Sequence, residues 1–519
     1  MHLVDTLIIV AYLATLVGIG IFVSGRQKTT DSYFVAGRTV PGWAAGLSLL
    51  ATIVTSITFI AFPGAAFSGD WSLLVPNLLF VVVILALGPI IVPFFRHAVS
   101  MSVYEYFGKR FGPGVRMYSS FAFAAGHFAK MGFVFYLLAL AVAGFTGWSV
   151  ALLIIGLGVI TVFYTFIGGL RAVIWTDVVQ GFLLWTGVLV TLALLLLSPH
   201  AQPGAMFHLI AANHKTSLGS LKFDLARPTF WTLTIYGFFY YLQKYTADQT
   251  VVQRYLAARS DRSALRGIEM GAALCLPVWV AFMLIGSLLW AFYQLSSQAL
   301  PAAVTQPDQV FPYYMVTQMP VGVAGLFLAG LFGAAMSMLA SDLNCLGLIL
   351  VEDFYAHFFP FHTDAQRLRF GKLSVIVCGA LAISIALRLV STHGSALALY
   401  YAAAAIVAGG LAGLFLLAFL SPRAGRTAAL AGIAVNLLFT IYATLTLNGG
   451  KILNLHNYNY PWNEYTIGAI GNLLLLAVGL LCAALFPIPS NLTSTGTLWG
   501  WLASRKHPSL HAVQLGDTP

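Results

Sequence analysis

The chain has 519 residues, of which 59% are hydrophobic and 8% charged, with a formal net charge of +10. A soluble domain carries about 25% charged residues, so the composition excludes a soluble globular protein and indicates a polytopic membrane protein. Cys275, Cys345, Cys378 and Cys482 all lie in apolar segments with no CxxC pair, which argues against a disulfide framework or a thiolate metal site.

The first apolar run, 3–24, follows MHLVD, which has no basic stretch, and no small-residue cleavage site comes after it. It is expected to be a retained membrane span and not a signal peptide. Further runs long enough for a crossing, which takes about 20 residues, fall at 43–68, 72–95, 117–144, 148–168, 172–197, 229–253, 267–293, 321–351, 371–391, 397–420, 426–447 and 466–487. The pattern predicts an all-α integral membrane protein with thirteen transmembrane helices. The odd-numbered connections and the tail hold nineteen basic residues: Arg26, Lys28, Arg38, Arg96, Lys109, Arg110, Arg116, Arg171, Arg254, Arg259, Arg262, Arg266, Arg367, Arg369, Lys372, Arg423, Arg426, Arg505 and Lys506. The even-numbered ones hold Lys215, Lys222, Arg227, Arg388 and Lys451. Positive charge collects on the cytoplasmic side. The expected location is therefore the cell membrane, with the N-terminus outside and the C-terminus in the cytoplasm. The net charge is then an orientation signal and implies no nucleic-acid partner. His200, His208 and His214 in the outer loop 198–228 read as ordinary loop residues, and the tail after 487 is too short for a second domain.

Ionisable groups at membrane depth are functional candidates by default. Lys130 lies mid-span in AGHFAKMGFVFYLL. Lys244 lies near the cytoplasmic end of its span in YYLQKYTADQ, where it can snorkel. Asp177 lies in VIWTDVVQG and Asp342 in AAMSMLASDLNC, 334–345. On a helix, Ala334, Ser337, Ser341 and Asn344 of the last stretch share one face, with Met338 and Asp342 on its flanks. That stripe suits either close helix packing or a ring of oxygens for a hard monovalent cation. The segment GLSLLATIVTSITFIAFPGAAFSGDW (46–71) places Thr52, Thr55, Ser56 and Thr58 at mid-membrane depth, followed by Pro63 and Gly64. Hydroxyls and helix breakers in one span mark a discontinuous helix whose freed carbonyls can coordinate an ion. No P-loop, HExxH or GxSxG stands in a usable context, so an enzyme is not expected.

Five ordered stretches resemble the sodium/solute symporters, which share the leucine-transporter-like inverted-repeat fold: DSYFVAGRTVPGW (31–43), VYEYFGKRFG (103–112), FIGGLRAVIWTDVVQ (166–180), ADQTVVQRYLAARS (247–260) and AAMSMLASDLNCLGLILVEDFY (334–355). The resemblance implies a ten-helix core over 43–420, built from repeats 43–197 and 229–420 with discontinuous first and sixth core helices. An extra helix and loop (1–42) would precede the core. Two helices (421–487) and a cytoplasmic tail (488–519) would follow it. It implies Na+ as the coupling ion, with a first site made by the carbonyls of Ala51, Val54 and Ala334 and the hydroxyl of Ser337. Met338 stands where a second hydroxyl is usual, and a thioether is a poor ligand for a hard cation. A second sodium site would use Asp177 and Ser341, although one of its hydroxyl positions is Ala340. Asp342 departs from the family pattern; it would either supply the missing charge or pair with a basic group. The implied solute pocket is Thr55, Thr58, Leu73, Asn77, Lys130 and Phe238. Lys130 stands where sialic-acid transporters carry an arginine, which favours a small hydroxylated solute such as a sialic or other sugar acid. Neutral sugars are the alternative, and a channel or a substrate sensor on the same fold is the rival class. The expected partners are sodium, the solute and the lipid bilayer, with the monomer as the working unit.

Overall fold

The computed structural model describes residues 2–25, 27–197, 202–296, 300–301, 304, 306–390, 409–450, 452–486 and 496–506. Apart from one parallel bridge between Val40 and Ala258, the described residues are helical, in turns or irregular. Inside a bilayer the backbone must satisfy its own hydrogen bonds, and the Leu-, Ala-, Val- and Phe-rich runs do this as helices. The elements that matter here are α1 (Leu3–Ser24), α2 (Gly42–Ile53), α3 (Ser56–Ser68), α4 (Leu74–Ala98), α5 (Tyr104–Phe111), α6 (Pro113–Thr146), α7 (Val150–Leu197), α8 (Phe230–Ala247) and α9 (Gln249–Ala257). They continue with α10 (Asp261–Leu295), α11 (Val323–Ile349), α12 (Asp364–Val390), α13 (Leu411–Leu420), α14 (Arg426–Gly450), α15 (Tyr465–Leu485) and α16 (Leu498–Lys506).

Among the described residues, nine helices are long and apolar enough to cross a membrane, or ten if α2 and α3, bent by 58° at their break, make one span. The expected spans 148–168 and 172–197 form one helical stretch, α7, interrupted at Gly169 (φ +55°). A Cβ there would stand 2.5 Å from the Tyr33 carbonyl oxygen, so glycine serves both the turn and the close approach. Residues 397–408 of the expected span 397–420 lie outside the described residues, as does most of the tail.

Burial ranks the helices. The most apolar window of α1 is 28% buried, whereas that of the stretch beginning with α11 is 83% buried. The former lies at the periphery and the latter at the centre, which explains why the polar residues of α11 are enclosed by protein and not by lipid. α2 crosses α10 at backbone contact. A Cβ on Gly46 would lie 2.3 Å from the Gly267 carbonyl, and one on Gly267 would lie 2.2 Å from the Gly42 carbonyl. Both helices carry glycine at a four-residue spacing (Gly42 and Gly46; Gly267 and Gly271), the arrangement that lets membrane helices approach closely. Lys215 Nζ donates to the carbonyls of Phe67 (2.9 Å) and Gly69 (2.6 Å) at the C-terminal end of α3. Partial burial lowers the ammonium's pKa from its ordinary value, with Asp70 opposing the shift. The cation tethers this loop to the negative end of the helix.

Candidate ion and solute site

The α2–α3 span breaks where the hydroxyl-rich sequence suggests. α2 stops at Ile53; Val54 (φ −84°, ψ 95°) and Thr55 (φ −95°, ψ 173°) are extended; α3 begins at Ser56. Val54 N–H donates to the Leu50 carbonyl and Thr58 N–H to that of Thr55, both at 2.9 Å. The carbonyls of Ala51 and Val54 thus fall past the intrahelical ladder, among the groups that a helix end leaves without partners.

Three elements converge beside this break. Asp177, on the 170–197 limb of α7, accepts a hydrogen bond from Ser48 Oγ of α2 on Oδ2 (2.5 Å) and one from Ser337 Oγ of α11 on Oδ1 (2.5 Å). Ser48 and Thr52 lie one turn apart on α2, and Ser337 and Ser341 one turn apart on α11, so two i,i+4 rows of hydroxyls face each other. The Thr52 and Ser341 hydroxyl oxygens are 3.3 Å apart. Ser337 gives its only proton to a carboxylate, so its lone pairs point elsewhere, the form in which a hydroxyl can meet a cation. Met338 and Ala340 are both buried and add no hydroxyl.

Arg254 enters this cluster, against the expectation that it marks a cytoplasmic connection. It is fully buried. Its Nη2 donates to Ser341 Oγ (2.5 Å) and Thr52 Oγ1 (2.8 Å) and lies 3.4 Å from Asp177 Oδ2; its Nε donates to Ser48 Oγ (3.2 Å) and its Nη1 to the Thr250 carbonyl. The cause is local. α8 and α9 are separated by a break at Asp248, which has extended backbone (φ −99°, ψ 112°) and caps α9 by accepting from Thr250 N–H (2.9 Å). All nine residues of α9 are buried, so the helix carries Arg254 inward. Arg110 and Arg116 also turn inward: Arg110 donates to the carbonyls of Ala418 and Ser421, and Arg116 pairs with Asp353 at 2.6 Å.

A second charged cluster lies around Lys130. Lys130 Nζ is 2.9 Å from Asp342 Oδ2 and donates to Oδ1 at 3.1 Å. Of the two roles expected for Asp342, the structure therefore shows pairing with a basic group. The His127 imidazole joins the two halves of the cluster, with Nδ1 2.8 Å from Asp342 Oδ1 and Nε2 3.4 Å from Asp248 Oδ2. Lys244 does not snorkel; its ammonium lies 2.5 Å from Asp248 Oδ2 and is mostly buried. Lys130, Lys244, His127, Gln243 and Tyr240 line a cavity of about 150 Å³. A larger cavity of about 740 Å³, lined by Ser56, Ile60, Phe133, Gln306, Asp308 and Tyr313, lies beside α3 and α6.

Of the six expected solute contacts, only Lys130 lines either of these cavities. Thr55, Thr58 and Leu73 stand at the break and just before α4. Asn77 accepts a hydrogen bond from the Tyr241 hydroxyl and donates to the Leu73 carbonyl (2.8 Å). The Phe238 side chain is exposed. His127, Asp248 and Arg254 were not anticipated as site residues. His127 could have been found from its spacing, because it lies one helical turn before Lys130 and so shares its face.

A broken helix facing a polar stripe, with buried charges at membrane depth, defines a transporter of the ion-coupled class. The sodium:solute symporter family model matches residues 33–435. The chain is 31% identical over 485 residues to the sodium/sialic acid symporter NanT of Aliivibrio fischeri, covering 92% of each chain. It is 32% identical over 482 residues to the sodium/sialic acid symporter SiaT of Proteus mirabilis, covering 92% of this chain and 94% of that one. The substrate-bound, outward-open structure of a Na+-coupled sialic acid symporter superposes with a TM-score of 0.86 at 30% identity, covering 94% of this chain and 99% of that one. The chain belongs to the sodium:solute symporter family. It is a sodium-coupled transporter of a small solute, not an enzyme.

Proposed function

We propose that this symporter imports a sugar acid of the sialic-acid type across the cell membrane with sodium. The observation that carries this reading is Lys130, a mid-span ammonium whose side chain is 31% exposed to a cavity that also holds Lys244 and Gln243. A buried ammonium needs an anionic or polar partner, and hydroxyl and carboxylate groups meet donors such as these. Two sialic-acid symporters at 31% and 32% identity support the substrate class. One observation favours a neutral sugar: Asp342 pairs with Lys130 and neutralises it.

In this reading sodium sits between the carbonyls of Ala51, Val54 and Ala334 and the Ser337 hydroxyl, and Thr55, Thr58, Leu73, Asn77 and Phe238 complete the solute path. The thirteen expected spans form an inverted pair of five-helix repeats, 43–197 and 229–420, flanked by extra helices. The N-terminus lies outside, and the monomer is sufficient. The test is uptake of sialic acid into proteoliposomes, with glucose and galactose as neutral controls. Uptake of the acid driven by a sodium gradient is the expected result. Equal uptake with potassium or choline replacing sodium, or uptake of the neutral sugars alone, overturns the corresponding half of the proposal.

A further inference from the structure

We propose that Arg254 is a tethered cation that occupies the second ion site, so that the chain carries one sodium ion per cycle and Asp177 serves that ion through Ser337. The inference rests on the sodium-symport reading and deepens it.

Three observations converge. The first is the donor set. A hard cation wants oxygen ligands, and at the second site one of the positions that would provide a hydroxyl holds Ala340, which is buried. What remains beside Asp177 is Ser48, Thr52 and Ser341. The second is occupancy. The Arg254 guanidinium is within hydrogen-bonding distance of all three hydroxyls, at 3.2, 2.8 and 2.5 Å, and 3.4 Å from the carboxylate. Two of these contacts, Ser341 and Asp177, are the groups expected at a second sodium site. A guanidinium stays charged under all physiological conditions, so the site cannot be vacated by proton loss. A sodium ion placed against it would face a like charge in a dry interior, where repulsion is strong. The third is the geometry of Asp177 itself. It and Arg254 are both fully buried. Its Oδ2 is held by Ser48 and Arg254, and its Oδ1 accepts the Ser337 proton at 2.5 Å. That last bond turns the Ser337 lone pairs away from the carboxylate, toward the place where the first sodium would bind. Asp177 is thus a positioning residue for the first site, and Arg254 supplies the balancing charge that a second sodium would otherwise bring.

The test counts ions. Equilibrium binding of radioactive sodium to the purified full-length protein is expected to give one ion per chain, with a Hill coefficient near one. Two ions per chain overturn the inference and leave symport standing; no bound ion overturns symport as well. Asp177→Asn is expected to weaken the single sodium about tenfold, a change of about 1.4 kcal/mol, with the count still one. A fall in count from two to one in that variant is the contrary result. Arg254→Met combined with Ala340→Ser removes the guanidinium and restores a hydroxyl, and the count should rise from one to two. A folded double variant that still binds one ion counts against the tethered-cation role. Should the variants not fold, the wild-type count decides alone.

Discussion

Single residues carry the clearest predictions because the buried charges of the site have named partners. Ser337→Ala removes the hydroxyl that Asp177 orients. Sodium affinity should fall at least tenfold by radioligand binding, while folding stability drops by what one unpaired carboxylate oxygen entails, about 1–3 kcal/mol. The Lys130–Asp342 pair supports a double-mutant cycle. Lys130→Ala removes the ammonium from a fully buried carboxylate and leaves it only the His127 contact, which should destabilise the protein, by less than the ~3–5 kcal/mol of a fully stranded buried charge. Adding Asp342→Asn should recover most of that, because no uncompensated charge then remains. Melting curves of the two single variants and the double variant, in one detergent, settle the matter; additive losses would mean that the pair is not coupled. At this scale the sequence signalled the charges but not their geometry. Lys130, Asp177 and Asp342 stood out because charge at membrane depth is rare. Arg254 did not, because it sits where a cytoplasmic connection was expected and positive charge there is ordinary. Only the break at Asp248, which turns a buried helix inward, reveals its place.

Helices were more legible than their partners. The break after Ile53 follows from hydroxyls crowded at one depth, whereas the helix starting at Ser56 runs through Pro63, which by sequence counts among the breakers. The separation of spans 148–168 and 172–197 was also visible, although the chain joins them in one helical stretch kinked at Gly169. What the sequence could not pair were α2 and α10. Each shows glycine at a four-residue spacing, but such spacing names no partner, and only the fold brings Gly46 against Gly267. This contact yields an element-scale prediction. Gly267→Val puts a branched side chain where even a Cβ would lie 2.2 Å from the Gly42 carbonyl. The two helices must separate, and α2 carries Ser48, Thr52 and the freed Ala51 carbonyl. Sodium binding should therefore weaken because the fold loosens, in contrast to Ser337→Ala, where it weakens through the loss of one ligand hydroxyl. A variant of normal stability and normal sodium affinity would show that the crossing does not position the site.

For the whole molecule, composition alone placed the chain in a membrane; against the thirteen apolar runs, nine helices among the described residues, or ten with the bent pair, are long and apolar enough to cross it. The net charge of the transported set needs the site, because it depends on how many sodium ions accompany the solute. One sodium with a monovalent sugar acid moves no net charge. One sodium with a neutral sugar, or two sodium ions with the acid, moves one. Each charge crossing inward gains about 2.3 kcal/mol per 100 mV, which multiplies the equilibrium accumulation of an electrogenic solute roughly fifty-fold per 100 mV. Arg254 at the second site and Lys130 at the solute site together predict the electroneutral case for sialic acid. Proteoliposomes loaded with potassium and treated with valinomycin, at a fixed sodium gradient, provide the measurement. The steady-state ratio of sialic acid inside to outside should not change when an inside-negative potential is imposed, since that ratio reflects thermodynamics and not the charge of the empty carrier. A roughly fifty-fold rise at 100 mV would mean that a second sodium travels with the acid and that Arg254 yields its place during the cycle.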